Sequence, residues 1–287
     1  MSAIGTAPAA PAARTDLRRR RLVRGGLIAV VVLYVGALLL LPLLSIAWTA
    51  LEPGWHVVAE TFRDPDVQHA FLLTGIIAVV TVVVTAVMGV VVAWVLVRQR
   101  FVGRALMNAV VDLPFALSPV TVGLAAIILF GLNGWFADFF SNRGIQILFA
   151  LPSMILVTVF ISIPFVIREV QPVLEELGTA EEDAARTLGA SVWKSFFRVT
   201  LPNIRWALLY GVALSAARSI GEIGAVLIVS GAIQGQTETA TVYIFRAVEE
   251  RQTAQGYIVA LTLAAISVVL LVAIEWFKRR ITREDQE

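Results

Sequence analysis

The sequence contains no cysteine and only two histidines, His56 and His69, which lie in one polar stretch. Disulfides, thiolate metal sites and thiol nucleophiles are therefore excluded, and we expect no metal site of any kind. Charged residues are also scarce. They make up 15% of the chain, against about a quarter of a typical soluble domain. This scarcity argues against a chain that is surrounded mainly by water.

Patterns that indicate catalysis are missing as well. The phosphate-binding pattern Gly-x-x-x-x-Gly-Lys-Ser/Thr does not occur, and no glycine is followed directly by lysine. Without this pattern the chain lacks the backbone cradle that holds the phosphates of ATP. No apolar segment carries paired carboxylates or a histidine cluster for acid–base chemistry. We therefore expect that the chain is not an enzyme and binds no cofactor.

Apolar residues are abundant and are gathered into long runs. They make up 58% of the chain, and the mean hydropathy is +0.83. A run of roughly 20 apolar residues crosses a bilayer as a helix, so the sequence predicts an all-α membrane protein with one domain at residues 25–280. Six spans are expected, at about 25–50, 70–97, 105–131, 145–168, 206–231 and 255–277.

The first apolar run follows the basic residues 18–21, as the core of a signal peptide would. The run covers residues 27–50, whereas the core of a signal peptide has about 7 to 15 residues. We therefore expect an uncleaved membrane anchor. The Ala- and Pro-rich start predicts a disordered, basic cytoplasmic tail at residues 1–24, and residues 281–287 are expected to form a second cytoplasmic tail.

Lys and Arg are unevenly divided between the two sides of the predicted spans. Eighteen of the 23 lie on the side that holds both termini. Because loops rich in Lys and Arg stay in the cytoplasm, both termini are expected to be cytoplasmic. These residues are dispersed between apolar runs and form no single patch, so nucleic-acid binding is not indicated.

The connection between the fourth and fifth spans, residues 169–205, is long and patterned. Thr179 and Glu182 have the spacing of a helix capping box, and Gly189 follows as a left-handed C-cap. Ser191 predicts the start of a second helix. The connection is therefore expected to form a helix–turn–helix unit on the cytoplasmic side.

The second helix of this unit carries an apolar stripe formed by Trp193, Phe196 and Phe197, and Pro202 is expected to interrupt it. An amphipathic helix that lies on the lipid surface would show the same stripe. A spacing pattern favours another interpretation. The residues that form it are Asp183, Ala184, Ala185 and Gly189, followed after nine residues by Val199, Thr200, Leu201 and Pro202.

This spacing resembles the EAA loop of bacterial ABC importer permeases, in which Glu-Ala-Ala, a glycine and Ile-x-Leu-Pro follow one another at the same distances. Asp183 and Val199 replace Glu and Ile. The resemblance implies a type I importer architecture, in which the short helix around Gly189 is a coupling helix that enters a groove on an ATPase subunit. It also implies the partners: two ABC ATPase subunits that bind ATP and Mg²⁺, a second permease subunit and an extracytoplasmic binding protein, all at the bacterial inner membrane.

Three stretches extend the resemblance over most of residues 25–280: residues 111–120, residues 164–169, and a third that covers 199–211, 217–226 and 229–231. They are most similar to the W-type permease family of sulfate/thiosulfate importers. The resemblance implies sulfate or thiosulfate import, with a T-type permease and a sulfate-binding protein as partners. Molybdate/tungstate permeases share part of the pattern and stay an alternative. A self-sufficient secondary transporter is less favoured because no internal repeat is evident.

The fifth predicted span carries Arg218 and Glu222, four residues apart. A charged residue at mid-bilayer costs about 2.5 to 3.5 kcal/mol, so both should face protein or water. Either they pair and join spans, or Arg218 borders the path of the anion. Four glycines favour close packing of this region against the partner permease: Gly211, Gly221, Gly224 and Gly231.

The third predicted span contains Pro114 and Pro119, and each proline removes a helical hydrogen bond. Backbone N–H groups freed near Ser118 and Thr121 would then line a cavity for the anion, although a simple kink is an equal alternative. Asp112, near the cytoplasmic end of this span, is expected to cap a helix or to pair with a basic residue.

Overall fold

The computed structural model describes the backbone of residues 12–284 and the side chains of residues 24–273 and 276. Every regular element in that range is helical, so the predicted all-α class is confirmed. The elements are α1 (Ala12–Leu51), α2 (Trp55–Arg63), α3 (Pro65–Arg98), α4 (Arg104–Ala116), α5 (Pro119–Phe130), α6 (Ala137–Ser141), α7 (Leu151–Leu177), α8 (Ala180–Thr187), α9 (Val192–Ser195), a π-helical turn (Phe196–Thr200), α10 (Leu201–Ile220), α11 (Gly224–Ser230), α12 (Ala240–Glu249) and α13 (Thr253–Glu284).

Four of these helices are long and apolar enough to cross a membrane: Arg24–Leu51 of α1, all of α3, all of α7 and Thr253–Ala273 of α13. Two bent pairs also qualify. Helices α4 and α5 meet at 113°, and the continuous helix Val192–Ile220 meets α11 at 55°. When each pair is counted as one span, the described residues hold six, which is the predicted number.

The helices at both ends of the chain extend beyond the predicted spans. Helix α1 begins at Ala12, so the prediction of disorder for residues 1–24 is wrong from that point on. Alanine, arginine and leucine are strong helix formers and explain the extension. Helix α13 runs to Glu284. The rest of the two predicted tails, residues 1–11 and 285–287, lies outside the described residues.

Helix α7 also continues beyond its apolar run, to Leu177, so the start of the predicted loop at residues 169–205 is helical. The fourth span was predicted to end at Arg168, where the run of apolar residues ends. The helix continues because Val170 and Leu174 are buried against neighbouring helices. Helices α2 and α12 were not predicted, because they are far shorter than a span and hydropathy does not detect them.

The interior of residues 50–287 is centred on α3, α7 and α10. Gly89 of α3 and Gly211 of α10 both lie against Val166 of α7, where an added Cβ atom would come within 2.7–2.8 Å of that residue. Small residues permit this close approach of helices. Gly211 was expected to pack against a partner permease, but it faces α7 of its own chain. A second cluster joins the start of α3 to α12 and α13.

Candidate functional site

The turn after α8 has the geometry of a Schellman motif. Gly189 has φ +84°, and its N–H donates to the carbonyl of Arg186 at 2.9 Å. The N–H of Ala190 donates to the carbonyl of Ala185 at 3.0 Å. The predicted left-handed C-cap is thus confirmed. No atom lies within 4 Å of a Cβ built on Gly189, so the space beside this turn is open.

The start of α8 differs from the prediction, because Thr179 makes no side-chain cap. Glu182 does not turn back toward it. Its side chain is only 7% exposed and accepts hydrogen bonds from Arg98 Nε at 3.1 Å and Thr200 Oγ1 at 2.9 Å. The capping box was wrong because Arg98, 84 residues earlier, provides a charge-assisted partner that a backbone N–H cannot match.

Arg98, the last residue of α3, connects several elements through one guanidinium. Its side chain is 8% exposed and pairs with Glu182 at 3.1 Å. It also donates to the carbonyls of Leu174 at 2.9 Å and Gly178 at 2.7 Å. Together with Thr200 these residues form a buried set that we call the Arg98 junction. It joins α3, the end of α7, α8 and the π-helical turn.

The second helix of the unit begins as predicted, since the Ser191 side chain accepts a hydrogen bond from the Lys194 N–H at 3.3 Å. It is not interrupted by Pro202, which was expected to break it. The π-helical turn precedes α10, and the Leu201 N–H donates to the Phe196 carbonyl. Pro202 stands in the first turn of α10, directly after the π-helical turn, and the helix continues through it.

Large apolar side chains flank the open turn at Gly189. We call them the apolar knob, and they are Leu188, Val192, Trp193 and Phe197. Leu188 is 89% exposed and Trp193 73% exposed, and the rings of Trp193 and Phe197 are stacked with centroids 6.3 Å apart. Phe196, predicted for the same stripe, packs instead against the buried core. An exposed group of this size marks a contact surface.

The other residues of the EAA pattern surround this turn. Asp183 is exposed and lies 3.8 Å from Arg186, a surface pair of little energetic weight. The carbonyl of Ala184 accepts from the Leu188 N–H at 3.2 Å. Leu201 is partly buried against the core and Pro202 is exposed. The residues of the pattern therefore mainly shape the turn, and their polar contacts are of minor importance.

The two bent spans meet at their breaks. Gly224, the first residue of α11, lies against Pro119, the first residue of α5, and a Cβ on Gly224 would be 2.9 Å from the Pro119 Cβ. A Cβ on Gly123 would likewise be 2.8 Å from the Cβ of Ile228. The 113° bend between α4 and α5 means that this segment is broken and not merely kinked. Gly224 was expected to face the partner permease, but it packs against α5 of its own chain.

Arg218 and Glu222 form an ion pair at 2.6 Å, with Arg218 30% exposed and Glu222 2% exposed. The Oε2 atom of Glu222 makes no well-aligned hydrogen bond, so this contact is a charge interaction. The Oε1 atom accepts from the Ala225 N–H at 2.8 Å, and the Glu222 carbonyl accepts from Thr241 Oγ1. Glu222 therefore ties α10, α11 and α12 together.

The remaining candidate residues of the two breaks are exposed. Ser118 stands at the start of α5 without a side-chain cap bond, and Thr121 is exposed one turn later. Gly221 is also exposed, and the nearest atom to a Cβ built on it lies 3.7 Å away. The structure therefore leaves these three residues open at the two breaks.

Asp112 pairs with a basic residue, as predicted. Its Oδ1 atom lies 2.6 Å from Arg168 Nη2, and Arg168 also donates to the Asn108 carbonyl. The pair joins α4 to α7 and is partly exposed. Among the residues whose side chains the structure describes, no three His, Asp or Glu side chains come together as metal ligands.

The segment between α11 and α13 contains a second buried charge network. Glu238 is 1% exposed and accepts from Arg246 Nε at 2.6 Å. This hydrogen bond raises the pKa of Arg246 above its ordinary value. Burial, followed by the charge of Asp64, raises the pKa of the neighbouring Tyr243 hydroxyl. The network fixes α12 against the residues before it.

A family model described as "Binding-protein-dependent transport system inner membrane component" matches residues 85–283. The chain belongs to this family. The match covers both bent spans, the Arg98 junction and the apolar knob. It confirms the importer-permease family that the spacing of the EAA loop predicted.

The chain is similar in sequence to known permeases over most of the length of both proteins. It is 46% identical to the sulfate transport system permease protein CysW of Synechocystis sp. over 88% of this chain and 92% of the relative. It is 42% identical to CysW of Escherichia coli K12, over 85% and 84% of the two chains. The identity to the sulfate transport system permease protein CysT of Escherichia coli K12 is 39%, over 88% and 91%. The predicted W-type resemblance is confirmed.

A solved structure shares the fold. The crystal structure of a bacterial alginate ABC transporter, in complex with a pentasaccharide-bound periplasmic protein, contains a chain that superposes with a TM-score of 0.76. The two chains are 17% identical, and the match covers 93% of this permease and 97% of the other chain. At that identity the likeness shows the fold, and it confirms the predicted type I importer architecture.

The sequence did not reveal the Arg98 junction. Glu182 was assigned to a helix cap, and Arg98 was counted only as a positive charge beside a span. A capping-box interpretation uses contacts within four residues, whereas this pair joins residues 84 positions apart. One signal was available: Glu182 stands beside Asp183 at the start of the EAA pattern, and one of two adjacent carboxylates is free for another role.

Proposed function

We propose that this chain is one of two membrane-spanning subunits of an ATP-driven importer for sulfate or thiosulfate, and that its α8–α9 turn docks on a separate ATPase. The permease itself binds no nucleotide. ATP and Mg²⁺ belong to two ATPase subunits on the cytoplasmic side, and closure of those subunits moves the turn.

The apolar knob carries this proposal. Four large apolar side chains stand exposed on a turn whose backbone is fixed by the Schellman motif at Gly189. Leu188 projects beside the open space at Gly189, where a Cβ would meet no atom. A rigid apolar projection beside a glycine fits a groove on another protein, because it buries apolar area without ordering a flexible loop. Lipid would cover the same side chains without needing the open space.

The rest of the assembly follows from the family. The second permease is a T-type subunit, and an extracytoplasmic sulfate-binding protein delivers the anion. Both termini and the α8–α9 turn lie in the cytoplasm of a bacterial cell, in agreement with the excess of Lys and Arg on that side. Substrate choice follows the relatives, which are named sulfate transport system permeases.

Within the spans, we assign Arg218 and Glu222 to packing and not to anion binding. Glu222 is buried and paired with Arg218, which cancels most of the positive charge that a sulfate dianion would meet. The exposed hydroxyls of Ser118 and Thr121 are better candidates to border the path. They provide hydrogen-bond donors at a helix break without a fixed negative charge.

Copurification tests the docking proposal. The permease is expressed with its T-type partner and the ATPase, and ATPase recovery is compared between wild type and Trp193→Asp. We expect the variant to insert normally but to lose the ATPase, since it puts a charge into an apolar groove. Phe139→Asp, at an exposed apolar residue on the opposite side of the spans, is the matched control and should retain the ATPase. Full ATPase recovery with Trp193→Asp would refute docking through the knob.

Uptake competition tests the substrate. Radiolabelled sulfate uptake is measured in a bacterial strain that lacks its own sulfate permeases and carries the complete transporter. Excess thiosulfate should suppress uptake and molybdate should not. Suppression by molybdate with weak suppression by thiosulfate would replace the sulfate assignment by the molybdate/tungstate alternative, while uptake without any ATPase would refute the importer itself.

A further inference from the structure

We infer that the Arg98 junction makes α8, the end of α3 and the end of α7 move as one body, so that displacement of the docking turn reaches the spans through Arg98. This inference rests on the proposed function. Arg98 and Glu182 are positioning residues in it, because neither is expected to touch the anion or ATP.

The backbone alone does not fix α8. It is joined to α7 through Gly178, with φ +60°, and to α9 through Gly189, with φ +84°. A Cβ built on either glycine would meet no atom within 4 Å. The Schellman hydrogen bonds tie the turn at Gly189 to α8 itself, so the helix and the docking turn form one unit. The backbone joins this unit to α7 through the open turn at Gly178, and the unit could pivot there if the backbone alone held it.

Side chains provide the missing restraint. Glu182, in the middle of the first turn of α8, is held by Arg98 of α3 and by Thr200 of the π-helical turn. The same guanidinium is anchored on the Leu174 and Gly178 carbonyls at the end of α7. Four elements thus share one buried group. Pivoting of α8 would separate a buried carboxylate from its cation, so the junction should stay closed while the surrounding body moves.

A lysine cannot replace Arg98 in this arrangement. The guanidinium reaches a carboxylate and two carbonyls at the same time through Nε, Nη1 and Nη2. An ammonium presents its donors from a single atom and lacks this planar fork. Exchange of the two charges should fail as well, because a carboxylate at position 98 would face two carbonyl oxygens.

The principal test compares Glu182→Gln with Glu181→Gln in the complete transporter, with its T-type partner, ATPase and binding protein. Glu181 is the neighbouring residue, exposed and bonded to Asn203 at 2.6 Å, and serves as the matched control. We expect Glu182→Gln to retain the ATPase and its ATP hydrolysis. Sulfate transported per ATP should fall about ten-fold, because the neutral amide loses the charge-assisted hydrogen bonds that keep α8 joined to α3. Glu181→Gln should transport like wild type.

Two results would overturn the inference. Unchanged transport per ATP in Glu182→Gln would mean that the junction does not transmit motion. Loss of the ATPase from that variant would mean that the junction only shapes the docking surface. If Glu182→Gln does not accumulate, Thr200→Val replaces it, because the ion pair remains and one hydrogen bond is removed. It should lower transport per ATP by a smaller factor, and unchanged coupling would again refute the inference.

A distance measurement separates transmission from stability. The chain has no cysteine, so spin labels can be placed on single cysteines at the exposed positions Gln99 and Thr187. In wild type the mean distance between the two labels should stay the same with and without ATP. In Glu182→Gln the distribution of distances should broaden. A wild-type distance that changes with ATP would refute the one-body inference. A wild-type permease that never recruits the ATPase would instead refute the proposed function.

Discussion

The backbone of Gly224 lies against the ring of Pro119, so closely that an added Cβ would be 2.9 Å from the proline Cβ. These two residues begin the second halves of two different bent spans, α11 and α5. Each break leaves backbone groups without helical partners, and broken helices in membranes are tolerated where protein covers them. The contact between Gly224 and Pro119 covers one side of both breaks, while Ser118 and Gly221 stay exposed on the other.

Gly224→Val should therefore destabilise the permease. The new side chain would meet a proline ring that cannot rotate away, and overpacking of this kind costs about 1–3 kcal/mol. Thermal unfolding of the purified complex should show a lower midpoint, and sulfate uptake should fall with it. Gly221→Ala is the control, since its nearest neighbour would lie 3.7 Å away and its φ is negative. An unchanged midpoint for Gly224→Val would show that α5 and α11 can separate freely.

Gly189→Trp should insert in the membrane but lose transport. A large side chain would fill the open space beside the apolar knob and keep it from its groove, while the left-handed backbone adds about 1–2 kcal/mol of strain. Gly144→Trp is a close control, because Gly144 also has positive φ and open surroundings but lies in a different loop. Uptake at the wild-type rate by Gly189→Trp would contradict docking at this turn.

Arg218→Gln should reduce the stability of the complex, because it leaves the buried Glu222 without its cation. Removal of one partner from a buried pair costs about 3–5 kcal/mol, and the partial exposure of Arg218 favours the lower end. The double variant Arg218→Gln with Glu222→Gln should recover most of that loss, since both charges are gone. Recovery is measured by thermal unfolding and by copurification of the T-type permease.

Sulfate uptake by the same double variant distinguishes packing from a pathway role. If Arg218 serves packing, uptake should return together with assembly. A complex that assembles fully but does not transport would assign Arg218 to the anion path and contradict the packing role proposed above.

Arg246→Gln should destabilise the segment around α12 by leaving Glu238 buried without a charge partner, at about 3 kcal/mol or more. The pKa of Arg246 is raised by its hydrogen bond to Glu238. A raised pKa means that the stability from this group is fully present below its unfolded value and is lost only at far higher pH. The effect of the substitution should therefore be equal at about pH 6 and pH 9. Arg251→Gln, at an exposed position, should have little effect at either pH.

Sequence predicted the helical class, the number of spans and the turn at Gly189, because these depend on local patterns. Hydropathy over about 20 residues identifies a span, and glycine after a helix identifies a left-handed cap. The same local patterns gave wrong helix ends at residues 12–24 and 169–177. There, helix propensity and tertiary burial extend a helix whose sequence is no longer apolar.

Local sequence patterns do not predict contacts between residues that lie far apart in the sequence. Glu182 satisfied the spacing of a capping box, yet its partner is Arg98. Gly211 and Gly224 correctly indicated close packing, but composition does not say which surface a glycine faces, and both face their own chain. The alternatives for Arg218 also needed coordinates, because only the structure shows that its guanidinium lies 2.6 Å from the buried carboxylate of Glu222.

The π-helical turn at Phe196–Thr200 has a consequence for the surface that precedes it. Such a turn holds one residue more than an α-helical turn, and each residue of an α-helix advances the side-chain direction by about 100°. Trp193 is therefore rotated by about 100° around the helix axis from the position that it would have if α10 continued toward it as a regular α-helix. Deletion of a single residue here would restore the regular phase and rotate the tryptophan to another side of the helix, without any change to the residues that form the surface.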